Sequence, residues 1–173
     1  MRAESAPLAS AAMPRTVLEL AVVACSALLA LGVLGGFGRG EKQQRLSPDR
    51  ASWVLTPGAA NPDVTQETIA ETICKQGWTK TIRPPTSYTN ELKVEQMRSY
   101  RRAGTTSDYQ EDHLISLELG GHPTDPRNLW PEPIERATAV DSIEDGLNHL
   151  ICSGQITLRE GQRRETELKH TAG

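Results

Sequence analysis

The chain has 173 residues, a length that suits a single domain of modest size. Its net charge is −3, and aromatic residues make up only 4% of it. This balance excludes a strongly basic protein that binds nucleic acid over its whole surface, so any contact with DNA requires a local basic patch. We predict no dinucleotide cofactor.

The N-terminal segment, residues 1–40, differs in composition from the rest of the chain. Residues 20–38 include no charged side chain. As a helix they would be about 28 Å long, enough to cross the hydrocarbon core of a bilayer. Residues 30–32 (Ala-Leu-Gly) loosely fit the rule for signal-peptide cleavage. We therefore predict a signal peptide or a signal-anchor transmembrane helix, and both alternatives stay open.

The cysteines bear on the cellular compartment. Cys25 lies in the apolar segment, which leaves Cys74 and Cys152 for the remainder of the chain. A pair of cysteines in a small exported domain predicts a disulfide, with two buried free thiols as the alternative. The closed loop would constrain the unfolded chain by roughly 4.5 kcal/mol. We expect an extracytoplasmic domain, secreted or anchored to the membrane, in the periplasm or at the cell exterior.

The segment after the apolar stretch predicts a linker followed by helices. Residues 41–62 are polar and rich in proline, glycine and alanine, which is typical of a tether. The domain would then cover residues 63–173. A helix is expected from its cap at Asp63 to Gly77, and a second helix from Thr89 onwards. Two consecutive prolines between them favour an extended path.

The centre of the domain predicts a β-hairpin. Asp112 and His113 precede an apolar segment, residues 114–119, which we interpret as the first strand. A turn rich in glycine and proline follows at 120–126, and residues 128–130 (Asn-Leu-Trp) begin a short second strand.

Two further helices complete the predicted fold. The apolar spacing indicates one helix over 135–151, and a capping box at Thr157 begins another that reaches about His170. The expected fold class is α+β: one hairpin with helices packed around it.

The central motif resembles a known family. Asp112 and His113, then Gly120 and Gly121, then Asn128, are similar to the first two-thirds of the HNH or ββα-metal endonuclease motif. The wider segment resembles small exported bacterial proteins of unassigned activity. The resemblance implies a ββα-metal hairpin and helix within the α+β fold.

The resemblance also implies roles for these residues. Asp112 would bind one divalent ion, first of all Mg²⁺ with Mn²⁺ or Zn²⁺ as alternatives, because carboxylate oxygens suit hard cations. His113 would accept a proton from the attacking water. Asn128 would hold the loop that supports the histidine, and Arg127 would position phosphate. Adjacent residues of a regular strand point to opposite faces, so Asp112 and His113 share a cleft only where the strand is irregular.

The third position of the motif is not matched. HNH nucleases carry a histidine or asparagine on the helix after the hairpin, where this chain has Ala137. Glu135 or Asp141 could replace it as an oxygen ligand, and Glu135 is our predicted second metal ligand. Further arginines that could contact phosphates are Arg98, Arg101 and Arg102.

Three functions follow from these patterns. The first is a metal-dependent HNH-like endonuclease acting on nucleic acid, with DNA as the expected partner and the membrane as a second one. The alternative is a non-catalytic binding domain of the cell envelope that keeps the hairpin fold. A weaker third idea is a cell-wall hydrolase that uses Glu111 and Glu118.

Overall fold

The hairpin is the only sheet in the region that the computed structural model describes, residues 46–172. Strand β1 (Tyr109–His113) pairs with β2 (Leu129–Pro133) in antiparallel orientation. The register places His113 opposite Leu129. Together with the helices, this sheet confirms the predicted α+β class.

Four helices accompany the hairpin in the described region. The last two agree with the predicted helices to within two residues, and Thr157 caps the last one by accepting a hydrogen bond from the Glu160 backbone N–H. The helix before the hairpin begins three residues earlier than expected. The bounds are α1 (Trp78–Ile82), α2 (Thr86–Tyr100), α3 (Ile134–Cys152) and α4 (Leu158–Thr171). Because α3 follows β2 directly, the chain order at the centre is β1, β2, α3.

The helix predicted over residues 63–77 is wrong, since this segment forms consecutive turns. Its backbone N–H groups donate mostly to carbonyls three residues back, as from Glu71 to Thr68 at 3.2 Å and from Lys75 to Thr72 at 2.9 Å, so the four-residue spacing of an α-helix is not maintained. The Gln66 side chain accepts from the Leu158 backbone N–H at 2.8 Å, which ties this segment to the start of the last helix.

The first strand lies earlier in the sequence than predicted. It ends at His113, and the apolar residues 114–119 form an irregular loop whose last turn is a short 3₁₀ helix. The reason is that β2 begins only at Leu129, so no strand lies opposite the apolar loop. The backbone groups of Ile115 are satisfied by the side-chain amide of Asn128 instead.

The predicted linker, residues 41–62, is part of the folded domain from residue 51 onwards. Thr56 is fully buried, and its hydroxyl donates to the Leu129 carbonyl at 3.2 Å. Ala60 forms an isolated antiparallel bridge with Gly121. Buried hydrogen bonds of this kind are absent from a flexible tether, so the domain begins before residue 63.

The hydrophobic core and the disulfide fix the hairpin loop against the helices. The predicted disulfide between Cys74 and Cys152 is present, and it joins the turn segment to the end of α3. Beside it, one cluster of buried apolar side chains combines the turn segment, the loop after β1 and both C-terminal helices: Val64, Ile73, Ile115, Leu119, Leu147, Ile151 and Leu158.

The predicted signal peptide or membrane anchor, residues 1–40, lies outside the described residues. Across residues 46–172, none of the helices has the length and apolar character needed to span a bilayer.

Candidate functional site

A cavity of about 410 Å³ lies between β1, the loop that follows it, and α3. We call it the acidic cavity because carboxylates dominate its lining. Among residues 46–172, Arg83 is the one basic side chain that lines it, and His113 and Ser116 line it as well. The acidic residues are Glu111, Asp112, Glu118, Asp141, Glu144 and Asp145.

The carboxylates of α3 face Glu118 across the acidic cavity. Burial, followed by the charges of Asp145 and Glu144, raises the pKa of Glu118 to about 7. Three acids at spacings of three and four residues lie on one face of a helix, which explains why α3 presents Asp141, Glu144 and Asp145 together. Like charges gathered in this way favour the arrival of a cation.

Besides Glu144 Oε1, which contacts the Lys169 ammonium at 2.6 Å without hydrogen-bond geometry, two polar groups at the acidic cavity have no hydrogen-bond partner within residues 46–172. One is the carboxylate of Glu111, whose two oxygens are both buried. Burial raises the pKa of Glu111 to about 8. The charge of Lys93 lowers this pKa, and the charge of Asp112 raises it. The other is the hydroxyl of Ser116, a residue that is only 6% exposed. Buried polar groups are usually satisfied, so unpaired oxygens at a cavity indicate a place for an ion or a ligand.

His113 is held in an orientation suitable for proton transfer. Its Nε2 lies 3.0 Å from the carbonyl oxygen of Pro123, a pure acceptor, so this nitrogen carries the proton and donates. Burial lowers the pKa of His113, whereas the hydrogen bond to Pro123 and the charge of Asp112 both act to raise it. The ring is therefore neutral at pH 7, and Nδ1, which has no partner in the described part of the chain, is free to accept a proton.

Asn128 connects three segments around the histidine. Its Oδ1 accepts from the backbone N–H of Ile115 at 3.0 Å and of Ala59 at 3.3 Å. Its Nδ2 donates to the carbonyls of Ile115 and His122, both at 3.0 Å. The side chain is completely buried. These four bonds hold the loop on both sides of the turn, which is the role that the resemblance implies for it.

Gly121 makes this close approach of Asn128 to the loop feasible. A Cβ atom at this position would lie 1.7 Å from the Ile115 carbonyl oxygen and 2.7 Å from Asn128 Nδ2. Only glycine fits there, because any side chain would displace the backbone that Asn128 binds.

The carboxylate of Asp112 is directed towards α4. Its Oδ2 accepts from the ammonium of Lys169 at 2.8 Å, and the same ammonium donates to the His113 carbonyl at 2.6 Å. Burial opposes ionisation of Asp112, but the Lys169 charge and hydrogen bond outweigh it and lower the pKa of that carboxyl. The side chains of Asp112 and His113 thus bind different partners, as the alternation along a regular strand requires.

Sequence reasoning missed Lys169 and its neighbours. The ammonium also contacts Glu144 at 2.6 Å and Glu165 at 3.3 Å. The available signal was the spacing of Leu158, Glu165 and Lys169 on α4, which places charged residues on the buried face of a helix that otherwise looks fully solvated.

The predicted metal ligands do not converge. Glu135 is exposed in the first turn of α3 and does not line the acidic cavity, whereas Asp141 does. Within residues 46–172, no three His, Cys, Asp or Glu side chains form a group that could hold a metal ion. The donor chemistry nevertheless fits a hard cation, because the acidic cavity offers carboxylate oxygens, two of them unpaired.

The predicted phosphate contacts lie elsewhere. Arg127 is exposed and binds Asp125 through two guanidinium nitrogens. Arg102 stacks against aromatic rings, including Trp130, and donates to backbone carbonyls, so it stabilises the fold. Arg98 and Arg101 are exposed and do not line the acidic cavity.

No protein-family profile, no curated protein and no solved structure matches the chain.

Proposed function

We propose that the domain is an HNH-like endonuclease, which hydrolyses phosphodiester bonds of nucleic acid with the help of one divalent cation. The observation that carries the proposal is the His113 imidazole, which is neutral, is fixed through Nε2, has no partner at Nδ1 among the described residues, and belongs to a residue that lines the acidic cavity. A base of this kind can take the proton of water as the water attacks phosphorus. The order β1, β2, α3 and the four bonds of Asn128 support the same proposal.

The acidic cavity itself would repel a phosphodiester in the absence of a countercharge. The carboxylates that line the acidic cavity would attract the cation, with Asp141 rather than Glu135 contributing from α3, although no three of them within residues 46–172 are already grouped as a metal site. When bound, the cation stabilises the negative charge that develops on the phosphate and the leaving oxygen. Arg83 lines the acidic cavity, and its charge acts on His113, so it is better placed than Arg127 to position a phosphate.

The test uses the purified full chain with supercoiled plasmid DNA and Mg²⁺ or Mn²⁺. We expect nicking that EDTA abolishes and that His113→Ala reduces by about 100-fold or more, the usual contribution of a general base. His149→Ala is the matched control, because His149 is exposed on α3 and does not line the acidic cavity. Equal nicking by the His113 variant and the unaltered chain would remove His113 from the reaction.

A second candidate is a non-catalytic binding domain that keeps the hairpin. The observation in its favour is the Lys169 ammonium, which neutralises the carboxylate expected to bind the metal. This function predicts no nicking with any divalent cation, together with an unchanged fold in His113→Ala.

We further propose an extracytoplasmic location, secreted or anchored to the membrane. The disulfide between Cys74 and Cys152 is compatible with this compartment. Blocking free thiols in cell fractions before denaturation tests it, since a cytoplasmic chain would carry these two cysteines reduced.

A further inference from the structure

We propose that Lys169 is a built-in cation, which occupies a cage of four oxygens beneath the acidic cavity and thereby keeps a metal ion away from Asp112. This proposal deepens the proposed function, because it removes Asp112 from the ligand set of the same site. Its test measures metal binding alone, so it stands or fails separately from nuclease activity.

The first step of the argument is the convergence of oxygens on one nitrogen. Lys169 Nζ lies 2.8 Å from Asp112 Oδ2 and 2.6 Å from the His113 carbonyl oxygen. It lies 2.6 Å from Glu144 Oε1 and 3.3 Å from Glu165 Oε1. The lysine is completely buried, so these oxygens replace its entire hydration shell. Hard divalent cations prefer the same kind of environment: several carboxylate oxygens and a backbone carbonyl.

The second step is the balance of charge. One ammonium contacts three carboxylates, and two of them, Asp112 and Glu144, also line the acidic cavity. Removing one partner of a buried ionic group leaves the others uncompensated, which costs much more than the net contribution of the group. Burial raises the pKa of Glu144, and that of Glu165 to about 8, so these two carboxyls can hold protons, and the ionised Asp112 is the group that requires another cation at the same position.

The third step is access. Because Asp112 and Glu144 border both the cage and the acidic cavity, a small cation that enters the cavity needs to move only past these two carboxylates. Truncating the lysine to alanine removes its ammonium and three methylene groups. The space left by this truncation suits a metal ion with its waters, or propylammonium.

The experiment compares the full chain with Lys169→Ala, and with Lys80→Ala as the control, since Lys80 is an exposed lysine of α1. Mn²⁺ binding is measured by calorimetry and electron paramagnetic resonance in the absence of DNA. We expect Lys169→Ala to bind Mn²⁺ at least about tenfold more tightly than the unaltered chain, and to gain thermal stability from Mn²⁺ or propylammonium. The Lys80 variant should behave like the unaltered chain.

Unchanged Mn²⁺ affinity in a folded Lys169→Ala chain would overturn the proposal, whether or not the protein cleaves DNA. If this variant folds only when Mn²⁺ or propylammonium is present, the proposal is supported. If neither cation restores folding, nuclear magnetic resonance of the unaltered chain decides. A slowly exchanging lysine ammonium signal that Asp112→Asn alters supports the cage, and the absence of such a signal refutes it.

Discussion

Replacing Asn128 by alanine removes the side chain that supports the catalytic histidine in our proposal. Asn128 makes four hydrogen bonds to backbone groups, at 3.0 to 3.3 Å, and is completely buried. At about 1 kcal/mol for each bond, the substitution should lower the free energy of unfolding by roughly 4 kcal/mol. Since small domains have only about 5 to 15 kcal/mol of stability, this loss is large.

Equilibrium denaturation in urea, with the disulfide intact, measures this change. Asn90→Ala is the matched control, because Asn90 is an exposed residue of α2 and its truncation should alter stability by less than about 0.5 kcal/mol. A loss below about 1 kcal/mol in Asn128→Ala would show that water or a rearranged loop satisfies the backbone, and that the loop does not depend on this amide.

Further predictions concern the disulfide, the acidic cavity and the glycine turn. Reducing the disulfide between Cys74 and Cys152 should lower the free energy of unfolding by up to roughly 4.5 kcal/mol. Denaturation with and without reductant measures this change, and equal denaturation midpoints would contradict the prediction. The pKa of Glu118 is raised from 4.5 to about 7. Between these pH values the unfolded state therefore binds fewer protons, and stability should fall as the pH rises. Thermal melts from pH 4.5 to 7 should show a shallower slope in Glu118→Gln, with the rest of the slope coming from buried carboxyls such as Glu111, and an unchanged slope would refute the assignment. Gly121→Ala should prevent correct folding, because the new Cβ would clash with the Ile115 carbonyl. Gly146→Ala on α3 should stabilise the helix slightly, because no atom lies within 4 Å of the new Cβ. Circular dichroism and thermal melts distinguish the two outcomes.

The sequence by itself determined the local elements with strong short-range signals. The capping box predicted the start of the last helix at Thr157, and the apolar spacing predicted α3 to within one residue at each end. The presence of only two cysteines after residue 40 predicted the disulfide between them. These features depend on residues within a few positions of one another, or on a choice between very few partners.

The tertiary structure alone decided the strand register and the turns of residues 63–77. The apolar residues 114–119 predicted a strand, but the backbone N–H and carbonyl of Ile115 bond to the side-chain amide of Asn128 rather than to a second strand. The turn segment instead bonds to a distant part of the chain, since the Gln66 side chain accepts from the Leu158 backbone N–H, a partner that the local sequence does not reveal.

The partners of Lys169 also required the tertiary structure, because the spacing on α4 indicates a buried face but not the groups that meet it, and a lysine on a polar helix normally faces water. Its burial depends on carboxylates from β1, α3 and α4 meeting at one point, and no spacing within a single helix encodes that meeting. The sequence thus determined which residues could carry chemistry, His113 and Asp112 among them. The fold decided which of them faces a cavity and which is neutralised, since long-range packing alone sets the partner of a buried charge.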